Sequence, residues 1–84
     1  MFYVYLLRSK KDGKLYTGST NDLRNRLVLH NTGKVFSTRS RRPFELIYYE
    51  SYKVESDARH REHNLKLRSR ALEQLKKRLV ATLL

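Results

Sequence analysis

A few side chains in this sequence have the chemistry to move protons and hold phosphate: Tyr5, Tyr16, Arg26, His30 and Glu62. A phenol, with an ordinary pKa near 10, acts as a base only where positive charge lies close. A guanidinium supplies such charge and presents a planar donor fork matched to phosphate oxygens. Arg26 and His30 are one helical turn apart, so a helix carries them on one face, where His30 can share in proton transfer. Each residue also has a plainer reading. Strand tyrosines pack, a helix arginine is solvated, a histidine near a helix C-terminus suits the dipole, and Glu62 can pair with Arg59 or Lys66. Those plain readings do not require the residues together.

The elements that must position them are legible. Residues 2–8 are aromatic and β-branched and read as a strand, with Tyr3, Tyr5 and Leu7 on one face and Phe2, Val4 and Leu6 on the other. Both faces are apolar, so this strand is expected at the centre of a sheet. Asp12-Gly13 signals a hairpin turn, returning a second strand over 14–19 with Tyr16 and Gly18 on one face. That hairpin turns both phenols into one pocket. Thr20-Asn21-Asp22 caps a helix through Leu23, Arg26, Leu27 and His30, which Gly33 stops. Residues 44–50 alternate as a third strand. Ser56-Asp57 opens a second helix bearing Ala58, Glu62, Leu65 and Lys66, and Ser69 caps a third with Leu72, Leu75, Leu79, Val80 and Leu83 on one stripe. The expected fold is α/β: a small antiparallel or mixed three-stranded sheet flanked by helices, in the order β-β-α-β-α-α.

Tyr3-Val4-Tyr5 followed by Tyr16-Thr17-Gly18 resembles the paired motif that names the GIY-YIG nucleases. Tyr3 and Val4 stand where the motif has Gly and Ile. The similarity continues through Asn21 to Leu27, with the family's helix arginine on Arg26, and through His30 to Lys34. It reaches Thr38-Arg39, Arg42-Pro43 and Ala58 to Glu62, covering about residues 3–66. The branch it is most similar to is the small stand-alone bacterial one. Ser19 stands where some members carry a lysine, and Gln74 is the nearest counterpart of a last-helix asparagine. The resemblance implies an endonuclease that hydrolyses phosphodiester bonds, with Tyr5, Tyr16, Arg26, His30 and Glu62 catalytic. It also implies that Glu62 is the protein ligand of one Mg²⁺ or Mn²⁺ ion, whose shell water and phosphate complete.

The chain's 84 residues fit one domain spanning 1–84, a motif-bearing core over about 3–66 and a C-terminal helix over about 69–83. No cysteine is present, no apolar run approaches a membrane span and the N-terminus lacks a signal peptide's pattern, so a cytoplasmic protein is expected. Lys and Arg total 19 against 8 Asp and Glu, a net charge of +11 that points to a polyanion; the resemblance implies nucleic acid, DNA ahead of RNA. Lys34, Arg39, Arg41 and Arg42 lie in a segment without apolar period and form a candidate phosphate clamp, which Lys66 joins. A catalytically silent nucleic-acid-binding module is the alternative; a ribosome-associated structural protein would explain the charge but not the paired tyrosines. His60 and His63 flank Glu62 without zinc-site spacing, and no Gly-rich phosphate loop supports nucleotide hydrolysis.

Overall fold

A computed structural model describes residues 1–67 and 70–84. Three strands, β1 (Phe2–Ser9), β2 (Leu15–Thr20) and β3 (Phe44–Tyr52), form an antiparallel sheet of order β2-β1-β3. The central position of β1 follows from its two apolar faces: Val4, Tyr5, Leu6 and Leu7 are each 0–1% exposed. At the hairpin, Gly13 takes a left-handed φ of 73°, which a Cβ would disfavour. Helix α1 (Leu23–Asn31) is capped by Asp22, whose carboxylate accepts from the Asn25 amide, and Gly33 beyond its end has φ 77°.

The pleat sorts the core into two layers. On one face Val4 and Leu6 pack with Ala58 and Leu65 of α2 (Glu55–Lys66) and Leu75 of α3 (Arg70–Arg78). On the other, Tyr5, Leu7 and Phe44 pack with Tyr16, Leu23, Leu27 and Leu46, beneath α1. The sheet is thus helix-covered on both faces, as expected for this α/β order, and it is wholly antiparallel rather than mixed.

Some boundaries depart from the sequence expectation. The alternation of β3 is broken by a bulge: Leu6 pairs with Tyr48 but Leu7 with Leu46, which leaves Ile47 as the extra residue. Ile47 and Tyr48 therefore both pack on the α2 side, and Tyr49, opposite Tyr5, shares the α1 side. Helix α2 starts at Glu55 after Val54, without a side-chain cap, so Ser56 lies inside it. Helix α3 ends at Arg78, and Val80, expected on its apolar stripe, is 64% exposed because the chain has by then left the helix. The expected cap Ser69 lies outside the described residues. Residues 34–43 are held as an ordered crossing with a 3₁₀ turn at Arg39–Arg41. Among the described residues no helix is long and apolar enough to cross a membrane.

Candidate active site

Tyr5 lies opposite Gly18 across β1 and β2, and two residues along, Leu7 lies opposite Tyr16. The pleat therefore brings both tyrosines to the α1 face, with ring centroids 6.4 Å apart. A Cβ on Gly18 would stand 2.4 Å from the Tyr5 hydroxyl and 2.5 Å from Cζ, so the phenol crosses the bare glycine backbone on its way to the site. Any larger residue would fill the slot. From α1, His30 packs edge-on against both rings, at 5.9 Å from Tyr5 and 5.1 Å from Tyr16, and Phe44 closes the back of the cluster.

His30 is fully buried and both its nitrogens are bonded. Nε2 lies 2.9 Å from the Tyr5 hydroxyl, and Nδ1 lies 2.8 Å from the hydroxyl of Thr38, itself fully buried. Thr38 donates to the Val35 carbonyl at 3.4 Å. With its proton so placed, Thr38 accepts from Nδ1–H, leaving Nε2 bare to accept the Tyr5 O–H. The next residue fixes the crossing segment: the Asn31 side chain donates to the Phe44 carbonyl at 3.1 Å and accepts from its amide at 2.6 Å.

The charges follow from burial. Desolvation and then the Arg26 charge push the His30 pKa down to about 4, so the imidazole is neutral near pH 7. Burial raises the Tyr5 phenol above its usual value, against the pull of the neighbouring Arg26 guanidinium. Arg26 is half-buried, and its Nε is buried without a hydrogen-bond partner. A buried unsatisfied donor costs about 1–3 kcal/mol, and a phosphate oxygen would satisfy it.

Glu62 lies on α2, against the opposite face of the sheet, and among the described residues it makes no hydrogen bond or ion pair with Tyr5, Tyr16, Arg26 or His30. Ser19 donates to its Oε1 at 2.6 Å, and Lys66, one turn on, pairs with its Oε2 at 2.7 Å. Burial pushes the Glu62 carboxyl up, but the bonds from Lys66 and Ser19 outweigh it and hold it below the usual range. The Lys66 ammonium also lies 5.8 Å from the Tyr16 ring centre. Among the described residues no three His, Cys, Asp or Glu side chains gather as a metal site. A lone carboxylate suits at most a hard ion that keeps most of its water and does not fit a protein-caged zinc, and the Lys66 ammonium at 2.7 Å would compete with any cation there.

The basic segment divides. Arg41 is engaged internally, donating to Asp12 at 2.9 Å and to the Leu15 carbonyl at 3.5 Å, with its guanidinium 5.6 Å from the Phe44 ring. Arg42 donates to the Arg39 carbonyl at 2.9 Å and covers Gly33, while Arg39 lies 4.9 Å from the ring of Phe36, which is 81% exposed. Lys34 is exposed. Gln74 is exposed on α3, and its side chain has no hydrogen bond among the described residues. Sequence reasoning singled out neither Thr38 nor Phe44 for the site and read Ser19 only as a missing cation; a hydroxyl's partner eight residues away through a crossing loop leaves no periodic signal.

A sheet that presents two tyrosines across a glycine, backed by a helix arginine and histidine, defines a nuclease-type catalytic domain. The family model of the GIY-YIG catalytic domain matches residues 1–77, and the chain belongs to that family. Within it, the chain is 43% identical over 74 residues to a UPF0213 protein of Bacillus pumilus, covering 87% of this chain and 74% of that one. It is 41% identical over 69 residues to a UPF0213 protein of Staphylococcus saprophyticus, covering 81% and 83%. The solution NMR structure of a UPF0213 protein from Bacillus halodurans shares the fold, with TM-score 0.54 and 37% identity over 96% of this chain and 84% of that one.

Proposed function

We propose that the protein is a metal-dependent endonuclease that hydrolyses phosphodiester bonds in nucleic acid, with DNA as its substrate. The observation that carries this reading is the buried Arg26 Nε without a hydrogen-bond partner, on a guanidinium that neighbours the Tyr5 phenol. Net charge +11 supplies the long-range attraction for a polyanion.

In this reading the scissile phosphate pairs with Arg26, which offsets the smaller of the two causes, after burial, that hold the His30 pKa down. The attacking water gives its proton to the Tyr5 oxygen while the Tyr5 proton passes to His30 Nε2, 2.9 Å away, forming an imidazolium. The water oxygen bonds to phosphorus as the P–O bond to the leaving oxygen breaks, and that oxygen keeps the electron pair and takes a proton from solvent. Tyr16, whose ring packs on the same histidine at 5.1 Å, would hydrogen-bond a phosphoryl or leaving oxygen. Glu62 would hold the Mg²⁺ or Mn²⁺ ion, with Lys66 moving off Oε2. When bound, the ion supplies Lewis-acid stabilisation of phosphoryl charge. Lys34, Arg39 and Arg42 hold the flanking backbone, while Arg41 fastens the segment that carries them, through Asp12. The fold is contained in one domain.

Incubation with single-stranded, duplex and branched DNA and RNA, with Mg²⁺ or with chelator, tests the proposal. Metal-dependent strand cutting that Tyr5→Phe abolishes is expected. Tight binding without cutting in any condition would favour the silent binding module.

A further inference from the structure

On the α1 side of the sheet, away from the His30 cluster, a cavity of about 700 Å³ opens between β1, β3 and the start of α1. It is a groove open to solvent rather than an enclosed pocket. Its aromatic wall is Tyr3 and Tyr49, whose rings meet edge to face at 5.9 Å and 68°. Leu23 and Leu46 are apolar lining. Asn21 and Arg24 supply polar lining from the turn before α1 and from its first turn.

Two features separate this from an ordinary surface groove. First, the polar groups are unused. The hydroxyls of Tyr3 and Tyr49, the Asn21 amide and the Arg24 guanidinium have no hydrogen-bond or ion-pair partner among the described residues, whereas the neighbouring Asp22 carboxylate is engaged in capping α1. Second, the bulge at Ile47 creates the pair. With unbroken alternation Tyr48 would share a face with Phe44 and Leu46, and Tyr49 would point to α2; the extra residue brings Tyr49, 53% exposed, to the side of Tyr3. Tyr49 is also the strand partner of Tyr5, so the platform begins about 5 Å, one strand spacing, from the backbone of the candidate catalytic tyrosine.

We infer that this cavity is a nucleobase subsite: it takes one base, out of the stack, from a strand whose phosphate lies at Arg26. A base offers a flat face to a tyrosine ring and a polar edge to hydroxyl and amide groups, and stacking of this kind tolerates any sequence. Arg24 meets the attached phosphate, and α1 thereby carries both the arginine of the subsite and the arginine of the cleavage site. A net charge of +11 favours an anionic ligand over a cationic one at the same aromatic corner. The inference rests on nucleic acid as the partner, as proposed above, but not on cleavage.

The test is a binding titration by fluorescence anisotropy with labelled oligothymidylate and a labelled duplex, metal chelated, for wild type, Tyr49→Ala, Tyr49→Trp and Tyr3→Leu. Loss of one stacked base predicts a fall in single-strand affinity of about 5- to 150-fold for Tyr49→Ala. Duplex affinity should change less than about twofold, with the salt slope of single-strand binding unchanged because phosphate contacts remain. Tyr49→Trp should retain affinity. Oligonucleotide carrying 5-iodouracil should photocross-link to Tyr3 or Tyr49. Unchanged single-strand affinity in Tyr49→Ala with wild-type binding intact would overturn the subsite, as would equal loss on single strand and duplex. If wild type binds neither probe, the nucleic-acid reading and the subsite fall together. Tyr49 is exposed, so its variants isolate binding from folding, and Tyr3→Leu is read only where its circular dichroism matches wild type.

Discussion

Acidification should unfold this protein early, through His30. The imidazole is fully buried between Tyr5 and Thr38, with its pKa pushed from 6.5 down to about 4. Below pH 6.5 the unfolded chain therefore binds a proton on this residue that the native protein refuses until about pH 4. Protonation favours the unfolded state, so stability rises with pH across that window and is lost as pH falls through it. At roughly 1.36 kcal/mol per pH unit, the gap integrates to about 3 kcal/mol by pH 4. A domain of this size has roughly 5–10 kcal/mol in total, so the loss is a large share. Urea unfolding of wild type and His30→Gln at half-unit steps from pH 7.5 to 4.0 reads it. Gln lowers the plateau near neutrality, but its curve should lack the His30 slope, so the two curves converge by about 3 kcal/mol on acidification. Glu50 and Glu62, held below the ordinary carboxylate range, and Asp12, at about 2, act mainly below pH 4.5 and are common to both proteins. Parallel curves between pH 7 and 4 would refute the buried neutral histidine and the relay built on it.

Gly18→Ala should destabilise by about 1–3 kcal/mol through overpacking and displace the Tyr5 phenol, 2.4 Å from the added Cβ; thermal melting measures the first and near-ultraviolet circular dichroism the second. Thr38→Val should release the His30 tautomer while Thr38→Ser retains it, read directly by long-range ¹H–¹⁵N correlation of the ring; identical spectra in all three proteins would remove Thr38 from the relay. Tyr5→Phe and Glu62→Ala should each lower cleavage by roughly 10²–10⁴ while the fold persists, and wild-type rates in either folded variant would undo the site assignment. Replacing Arg39 and Arg42 with Ala should weaken nucleic-acid binding for all sequences and flatten its salt dependence by up to about one unit per lost phosphate contact; Arg41→Ala should instead lower the melting temperature, because it breaks the 2.9 Å pair with Asp12.

The sequence by itself determined the elements that local chemistry governs. Two-sided apolarity put Phe2–Ser9 at the centre of the sheet, Asp12-Gly13 made the hairpin, and Asp22 and Gly33 bounded α1. Period-two alternation was also enough to give Tyr5, Tyr16 and Gly18 a common face. What only tertiary structure decided were contacts between segments with no shared period. The bulge at Ile47, which reverses the side of Tyr49, depends on fitting Tyr48 over one layer and Leu46 over the other. The burial of Thr38 against His30, the Ser19 bond to Glu62 and the withdrawal of Arg41 to Asp12 all join distant elements. A side chain's type and spacing limit what it can do. Whether its polar atoms are met or left waiting is set by whatever the packed chain brings against them, as the paired Arg41 Nε and the unpaired Arg26 Nε show.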